Sequence, residues 1–308
     1  MGHSRRWFVR QVALFTAGLS VSVPRFTYDQ AEAAVPPAKK PLVVSVQGKD
    51  YVQLVRKGVE LAGGIDQFVS SGDTVVVKPN IGWDRRVEQA ANTHPLVVKT
   101  LVELALDGGA KRVQVFDYTC NDARRCYHNS GIKDALAGLG RKVQLEYIDE
   151  RKFIPVEISK GTSLKRWKIY QDVLEADRYI NVPVAKHHGL SRLTLGMKNV
   201  MGVIGGNRGR LHHDLGQKLA DLATVVKPDL TVIDATRMLM NNGPQGGRLA
   251  DVKQTDQLVL SADQVAADAY GTTLFGLPSD SLDSTVAAHK MGLGEMNLSA
   301  MQIIERTI

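Results

Sequence analysis

The sequence predicts an α/β fold: a mostly parallel, Rossmann-like sheet flanked by helices. Three observations predict it. Short β-branched runs alternate with longer segments of helical apolar spacing. The strand–helix–strand order calls for parallel pairing through right-handed crossovers. Polar and glycine-rich residues follow the ends of successive strands, where ligands sit in open α/β sheets. With 308 residues, 44% of them hydrophobic, the chain can bury a real core. A single α/β domain is placed over 42–308.

In chain order, "LVVSVQG" (42–48) reads as a buried strand and "YVQLVRKGVELAGG" (51–64) as a helix. "TVVVKPN" (74–80) is a strand ending at Lys78-Pro79-Asn80. A strong helix follows over 93–110, with Thr93 as N-cap, Pro95 in the first turn and Gly108–Gly109 ending it. Residues 112–118, 142–148, 178–184 and 230–236 read as strands, and 215–226 as an amphipathic helix with Asp214 placed to cap it. The strand 257–263 leads into a helix over 264–276, and helices over 281–293 and 298–308 close the chain. The stretch 150–175 breaks the alternation and is expected to be an inserted β-hairpin or small lid.

The N-terminus reads as a targeting segment. Arg5 and Arg6 sit side by side before Phe8, an apolar run extends from Val12 to Val23, and "AEAA" offers a small-residue cleavage site after Ala33. The run is shorter than the ~20 residues of a transmembrane span. Ser4 to Arg10 follows the twin-arginine export pattern. Residues 1–33 are therefore expected to be a signal peptide handled by the twin-arginine translocase, and 34–41 ("AVPPAKKP") a linker. The protein is expected in the periplasm or outside the cell, with no stable membrane span after cleavage.

The formal charge is +7, and the signal segment accounts for +2, leaving +5 on the rest. The basic residues are scattered, without a polybasic tract or zinc finger, so no nucleic-acid partner is evident. The excess is expected to favour a small anionic molecule. In an oxidising compartment Cys120 and Cys126, with five residues between them, are expected to form a disulfide, which requires Cα atoms within about 7 Å. Metal ligation with His128, or free redox-active thiols, are the alternatives. Two cysteines give no iron–sulfur motif.

Half of the eight histidines fall between Val184 and Gly216, in two pairs, His187/His188 and His212/His213. Neighbouring side chains diverge on a strand or a helix, so one of each pair is expected to face a shared site. A divalent metal would take His187, His212 and Asp234, with Asp263 as the other acid. The competing option is acid–base chemistry on an anionic substrate by Lys78, Lys186, Lys198 and His187. Lysine at the end of an apolar strand, as at Lys78, implies a partner, because an unpaired buried ammonium is costly. Asn80, Asn199, Arg208, Gly243, Gly246 and Arg248 are the expected ligand-binding positions. "NNGPQGGR" (241–248) offers main-chain N–H groups but is neither a Walker loop nor G-x-G-x-x-G, so nucleotide binding has no support.

Six ordered stretches, "VVVKPNIG", "NTHPLVVKTLVELALDGGAKRVQVFD", "INVPVAKHH", "LTLGMKNVMGVI", "VIDATRMLMNNGPQGG" and "LVLSADQVAADAYGTTLFGL", resemble the bacterial and archaeal family known as domain of unknown function 362. The resemblance covers roughly 42–280 and adds His94, Asp263 and Asp268 to the positions of interest. It implies no general activity. Some relatives carry ferredoxin-like modules, whose C-x2-C-x2-C run this chain lacks. The expected function is therefore an exported enzyme with a basic pocket, metal- or redox-linked or neither. A non-catalytic periplasmic binding protein, or an accessory protein of an exported redox system, is the alternative.

Overall fold

The computed structural model describes residues 40–308. The predicted signal peptide, and the predicted linker up to residue 39, lie outside the described residues. The strands are β1 Leu42–Gln47, β2 Thr74–Pro79, β3 Arg112–Val115, β4 Val143–Leu145, β5 Phe153–Glu157, β6 Arg166–Tyr170, β7 Arg178–Val182, β8 Val184–His188, β9 Arg192–Thr194, β10 Leu230–Leu239, β11 Val252–Ser261 and β12 Gln302–Thr307. Ten form one sheet in the order β12-β1-β11-β10-β7-β2-β3-β4, with β8 pairing β10 and β9 off that path. Only β9 and β11 run against the other eight. The expected mostly parallel α/β sheet is present.

The β-branched centre of β2 is buried on both faces, as a parallel central strand requires. One face is covered by the helices Tyr51–Leu61 and Pro95–Asp107, which bury Leu54, Val55, Val98 and Leu101. Leu215–Ala223, Gln264–Thr273 and Asp283–Lys290 pack on the other face. The expected hairpin is β5–β6, an antiparallel pair of its own. It is a buttress: Ile169 bridges to Ile204, and Trp167 Nε1 donates to Gly205 O at 2.9 Å.

Four local expectations are corrected. Residues 298–308 end in β12, not a helix, after a single turn at Leu298–Ala300. The open edge of β1 offers a parallel ladder from Leu42↔Gln302 to Gln47↔Thr307, and the β-branched "QIIERT" takes it. The helix N-cap is His94, whose ring accepts from Leu96 N. Thr93 is instead spent on β-strand ends: its hydroxyl donates to Val182 O at 2.7 Å and accepts from Asn80 N at 2.8 Å. Asp214 has φ 57° and caps nothing with its side chain, which accepts from Ser163 Oγ. Cys120 and Cys126 are both free. The helix Ala123–Asn129 turns Cys126 into the core, while Cys120 stays on the exposed loop.

Candidate functional site

The carboxyl ends of β2, β3 and β8 surround a cavity of about 370 Å³. This is where the β2-β3-β4 progression and the return to β7, β8 and β10 part, the crevice that open α/β sheets use for ligands. A larger cavity, about 560 Å³, opens at the opposite strand ends. Its acid, Asp263, is committed to capping the helix Gln264–Thr273 and to Glu295 N. Charged groups without carboxylate partners converge at the first.

Asp117 lines its floor, with Lys78 buried beneath it. β2 and β3 are adjacent and parallel, so residues at and just past their carboxyl ends meet. Lys78 Nζ lies 2.7 Å from Asp117 Oδ1 and donates to Pro79 O at 2.8 Å. Asp117 Oδ2 accepts from Ile81 N at 2.6 Å. Lys78 is fully buried, and burial lowers its affinity for protons while Asp117 works against that shift.

Lys186 projects from β8. It is 1% exposed and has no carboxylate partner among the described residues. Its Nζ donates to Ala91 O at 2.5 Å and Asn80 Oδ1 at 3.1 Å. Burial pushes its ammonium down to about 7. Lys198 comes from the short helix Gly196–Asn199, and among the described residues the acceptor its Nζ meets is Met201 Sδ at 2.9 Å. Burial, with help from the Arg208 charge, lowers it to about 8. Both amines lie within electrostatic reach of Cys120.

An amide relay sets these groups in place. Asn80 Nδ2 donates to Asn199 Oδ1 at 3.0 Å, Asn199 Nδ2 to Asn181 Oδ1 at 2.8 Å, and Asn181 Nδ2 to Gly196 O at 2.9 Å. From below, Asp268 accepts from Gly196 N at 2.6 Å and Met197 N at 2.9 Å. Burial raises Asp268 to about 7 even though these N–H groups pull it down. Asp268 is therefore an anchor for the Lys198 turn and not a cavity group. On the far wall, Arg208 stacks 3.9 Å over the Tyr118 ring and donates to the carbonyls of Tyr118, Thr119 and Met201. Held by neutral acceptors, its charge remains unpaired.

The structure thus gathers Asn80, Lys186, Lys198, Asn199, Arg208 and His212 around one cavity, above Lys78. It does not bring in His187. Residues two apart on a strand share a face, so Lys186 goes with His188. His187 turns away and accepts from Gly243 N at 3.1 Å. Nδ1 of His188 accepts from Leu190 N and Ser191 N, which leaves its hydrogen on Nε2. Burial, then the charges of Lys198 and Lys186, hold this ring neutral by lowering it to about 3.

The glycine loop does not cradle a ligand either. Gly243 sits against His187 O, Gly246 takes φ 56° and donates to Asn242 O, and Arg248 is exposed; Pro244 alone of that loop reaches the cavity. The metal set is also not assembled. Asp234 accepts from His94 N, Thr236 N and the Thr236 hydroxyl, and His212 Nδ1 faces Gly209 O. Among the described residues no three His, Cys, Asp or Glu side chains converge. The cavity's ammonium and guanidinium groups repel a cation, so the residues present do not fit a divalent metal and do fit an anion.

Asp117, Tyr118 and Gly202 are site residues that sequence reasoning missed, and of the His187/His188 pair it carried His187 forward where His188 lines the cavity. For His188 the signal was the strand parity with Lys186. For Asp117 it was an acid placed just past the end of β3, as Lys78 stands near the end of β2.

Residues 75–273 match the family described as domain of unknown function (DUF362). A thylakoid-associated protein of Synechocystis sp. is 26% identical over 257 residues, covering 81% of this chain and 77% of that one. The chain is also similar to two solved structures: a Thermotoga maritima protein (TM-score 0.45, 11% identity, 78% of this chain and 58% of that one) and the lactate racemase apoprotein of Thermoanaerobacterium thermosaccharolyticum (TM-score 0.46, 10% identity, 75% and 56%). This chain spans somewhat over half the length of each of those two. The match over 75–273 takes in every strand end that builds the cavity, and the chain belongs to the domain of unknown function (DUF362) family.

Proposed function

We propose that the chain is an exported enzyme that binds a small anionic molecule in the cavity at the ends of β2, β3 and β8 and moves a proton on it. One observation carries this reading: Lys186, buried, and Lys198, half-buried, face a single cavity without a carboxylate partner among the described residues. An ammonium buried beside neutral acceptors is relieved by a negative ligand. Arg208 adds a fixed positive charge, and the neutral His188 offers an Nε2–H donor. Lys186 at about 7 and Lys198 at about 8 change charge near neutral pH, as a general acid or base must.

Titration of the purified protein with small mono- and dicarboxylates and with inorganic phosphate, followed by thermal shift and calorimetry, tests the reading. At least one anion is expected to bind, more weakly in Lys186→Ala and Lys198→Ala. Unchanged binding in both variants would sink it. Arg5 and Arg6 support delivery to the periplasm or exterior through the twin-arginine translocase. Arg5→Lys/Arg6→Lys is expected to leave the protein in the cytoplasm. The thylakoid association in the Synechocystis relative's name describes that protein alone.

A further inference from the structure

We infer that Lys198 is an amine nucleophile that forms a protonated imine with a small 2-oxo carboxylate, and that Lys186 is the proton shuttle for this step. The inference rests on the reading that the cavity takes an anion, and it names which anion.

The two lysines are not equivalent. Lys186 Nζ has two oxygen acceptors at fixed positions, Ala91 O and Asn80 Oδ1. As a neutral amine it keeps both bonds with its two hydrogens, and its lone pair takes the remaining tetrahedral direction. That suits reversible proton transfer. A protonated imine nitrogen keeps a single hydrogen, so forming one here would cost at least one of the two contacts. Lys198 has no such tie. Among the described residues its neighbour in bonding range is the Met201 thioether, a weak acceptor that gives an ammonium little support. Releasing its hydrogens costs little, so it is the amine free to react.

The surroundings supply the other half of the ligand. Arg208 is fixed by three carbonyls and the Tyr118 ring, and lies near enough to Lys198 to depress its protonation. Its charge is set to hold a carboxylate beside the amine. His188 Nε2–H is a neutral donor for the carbonyl oxygen. A cavity of about 370 Å³ is at the small end of the range for ligand sites.

The step balances as follows. The Lys198 lone pair attacks the ketone carbon, a carbon–nitrogen bond forms, and the carbonyl π pair moves to oxygen. A proton passes from nitrogen to that oxygen through Lys186. The resulting hydroxyl takes one further proton, from the Lys186 ammonium, and leaves as water. Amine, ketone and one proton give a protonated imine and water, with Lys186 left neutral.

The test is reductive trapping on the full chain. The protein is incubated with pyruvate and cyanoborohydride near pH 7 and digested, and the site of the reduced adduct is found by mass spectrometry. Lowered to about 8, Lys198 holds on the order of a hundredfold more neutral amine at that pH than a solvated lysine. The adduct is expected chiefly on Lys198 and lost in Lys198→Arg, with trapping slowed in Lys186→Met. Lactate, which has the carboxylate but no ketone, is the parallel ligand for thermal shift. If pyruvate and lactate both bind but no adduct forms, or adducts spread evenly over exposed lysines such as Lys111, the imine inference is overturned and the anion reading stands. If no anion binds at all, the anion reading fails and takes the inference with it.

Discussion

Gly202 lies directly over the Lys78–Asp117 ion pair, so close that a Cβ there would overlap Asp117 Oδ1 and sit 2.7 Å from Lys78 Nζ. The pair is fully buried and bonded to the main chain of β2 and of the following loop, so neither partner can step aside. Gly202→Ala is therefore expected to destabilise the fold by about 1–3 kcal/mol, the usual cost of overpacking. Gly189→Ala is the control on the same cavity wall: its Cβ would meet nothing nearer than 3.9 Å, and its melting temperature is expected to stay close to the parent's. Equal melting temperatures for the two variants would refute this account.

The same pair makes a second prediction. Removing one partner strands a charge, and breaking a buried ion pair in this way costs about 3–5 kcal/mol. Asp117→Ala leaves the Lys78 ammonium facing only Pro79 O and frees Ile81 N as well. The double variant Lys78→Met/Asp117→Ala has no stranded ammonium and is expected to be more stable than Asp117→Ala alone. Urea denaturation of the three proteins checks the order.

Lys186 carries a stability cost whose sign depends on pH. Its folded value, about 7, lies below the ordinary lysine value. Between about 7 and about 10 the unfolded chain binds a proton that the folded chain does not, so stability rises with pH across that window. Below about 7 both states are protonated and the full cost is present. Lys186→Met removes the cost together with two hydrogen bonds, to Ala91 O and Asn80 Oδ1. At pH 6 the variant is expected to be more stable than the parent by ~2 kcal/mol once those bonds are deducted, with the gain gone by about pH 10. A gain that grew with pH would reverse the assignment.

The fold was legible wherever one physical signal dominated. β-branched runs and helical spacing located the sheet and its flanking helices, and the break in alternation located β5–β6. It failed at the C-terminus because "QIIERT" has no periodicity of its own, and the open edge of β1, which decides it, exists only after folding. The site was half legible. Lysines and asparagines at strand ends were found because a polar group there demands a reason. The glycines of 241–248 misled, since a glycine needed for positive φ or close packing looks the same in sequence as one needed to approach a ligand. Asp117 gave no sequence hint of Lys78, because their meeting depends on β2 and β3 being neighbours.

The two histidines of β8 separate function from support. His188 shares the cavity face with Lys186, whereas His187 accepts from Gly243 N outside it. His188→Ala is expected to weaken anion binding severalfold and, by removing the acceptor of Leu190 N and Ser191 N, to cost about 1–2 kcal/mol of stability as well. His187→Ala is expected to cost about 1 kcal/mol of stability, the worth of one hydrogen bond, and to leave affinity unchanged. Calorimetry and denaturant midpoints on both variants read the two effects apart; the opposite assignment would put His187 in the site.

Asp268 controls the site without entering it. Its two oxygens accept from Gly196 N and Met197 N, at the first turn of the helix whose next residues are Lys198 and Asn199. A carboxylate accepts at both oxygens, whereas the amide of Asn must turn its NH2 toward one of those N–H donors. Asp268→Asn therefore sets donor against donor at 2.6 or 2.9 Å and pushes the turn upward. The Lys198 amine and the Asn199 relay move with it. Anion affinity is expected to fall in Asp268→Asn, although residue 268 lies behind the turn and does not line the cavity. Asp263→Asn, which alters the cap of the same Gln264–Thr273 helix and keeps an N-cap acceptor, is expected to leave affinity near the parent value. Equal losses in the two variants would mean that the helix as a whole, and not the Asp268 anchor, sets the position of Lys198.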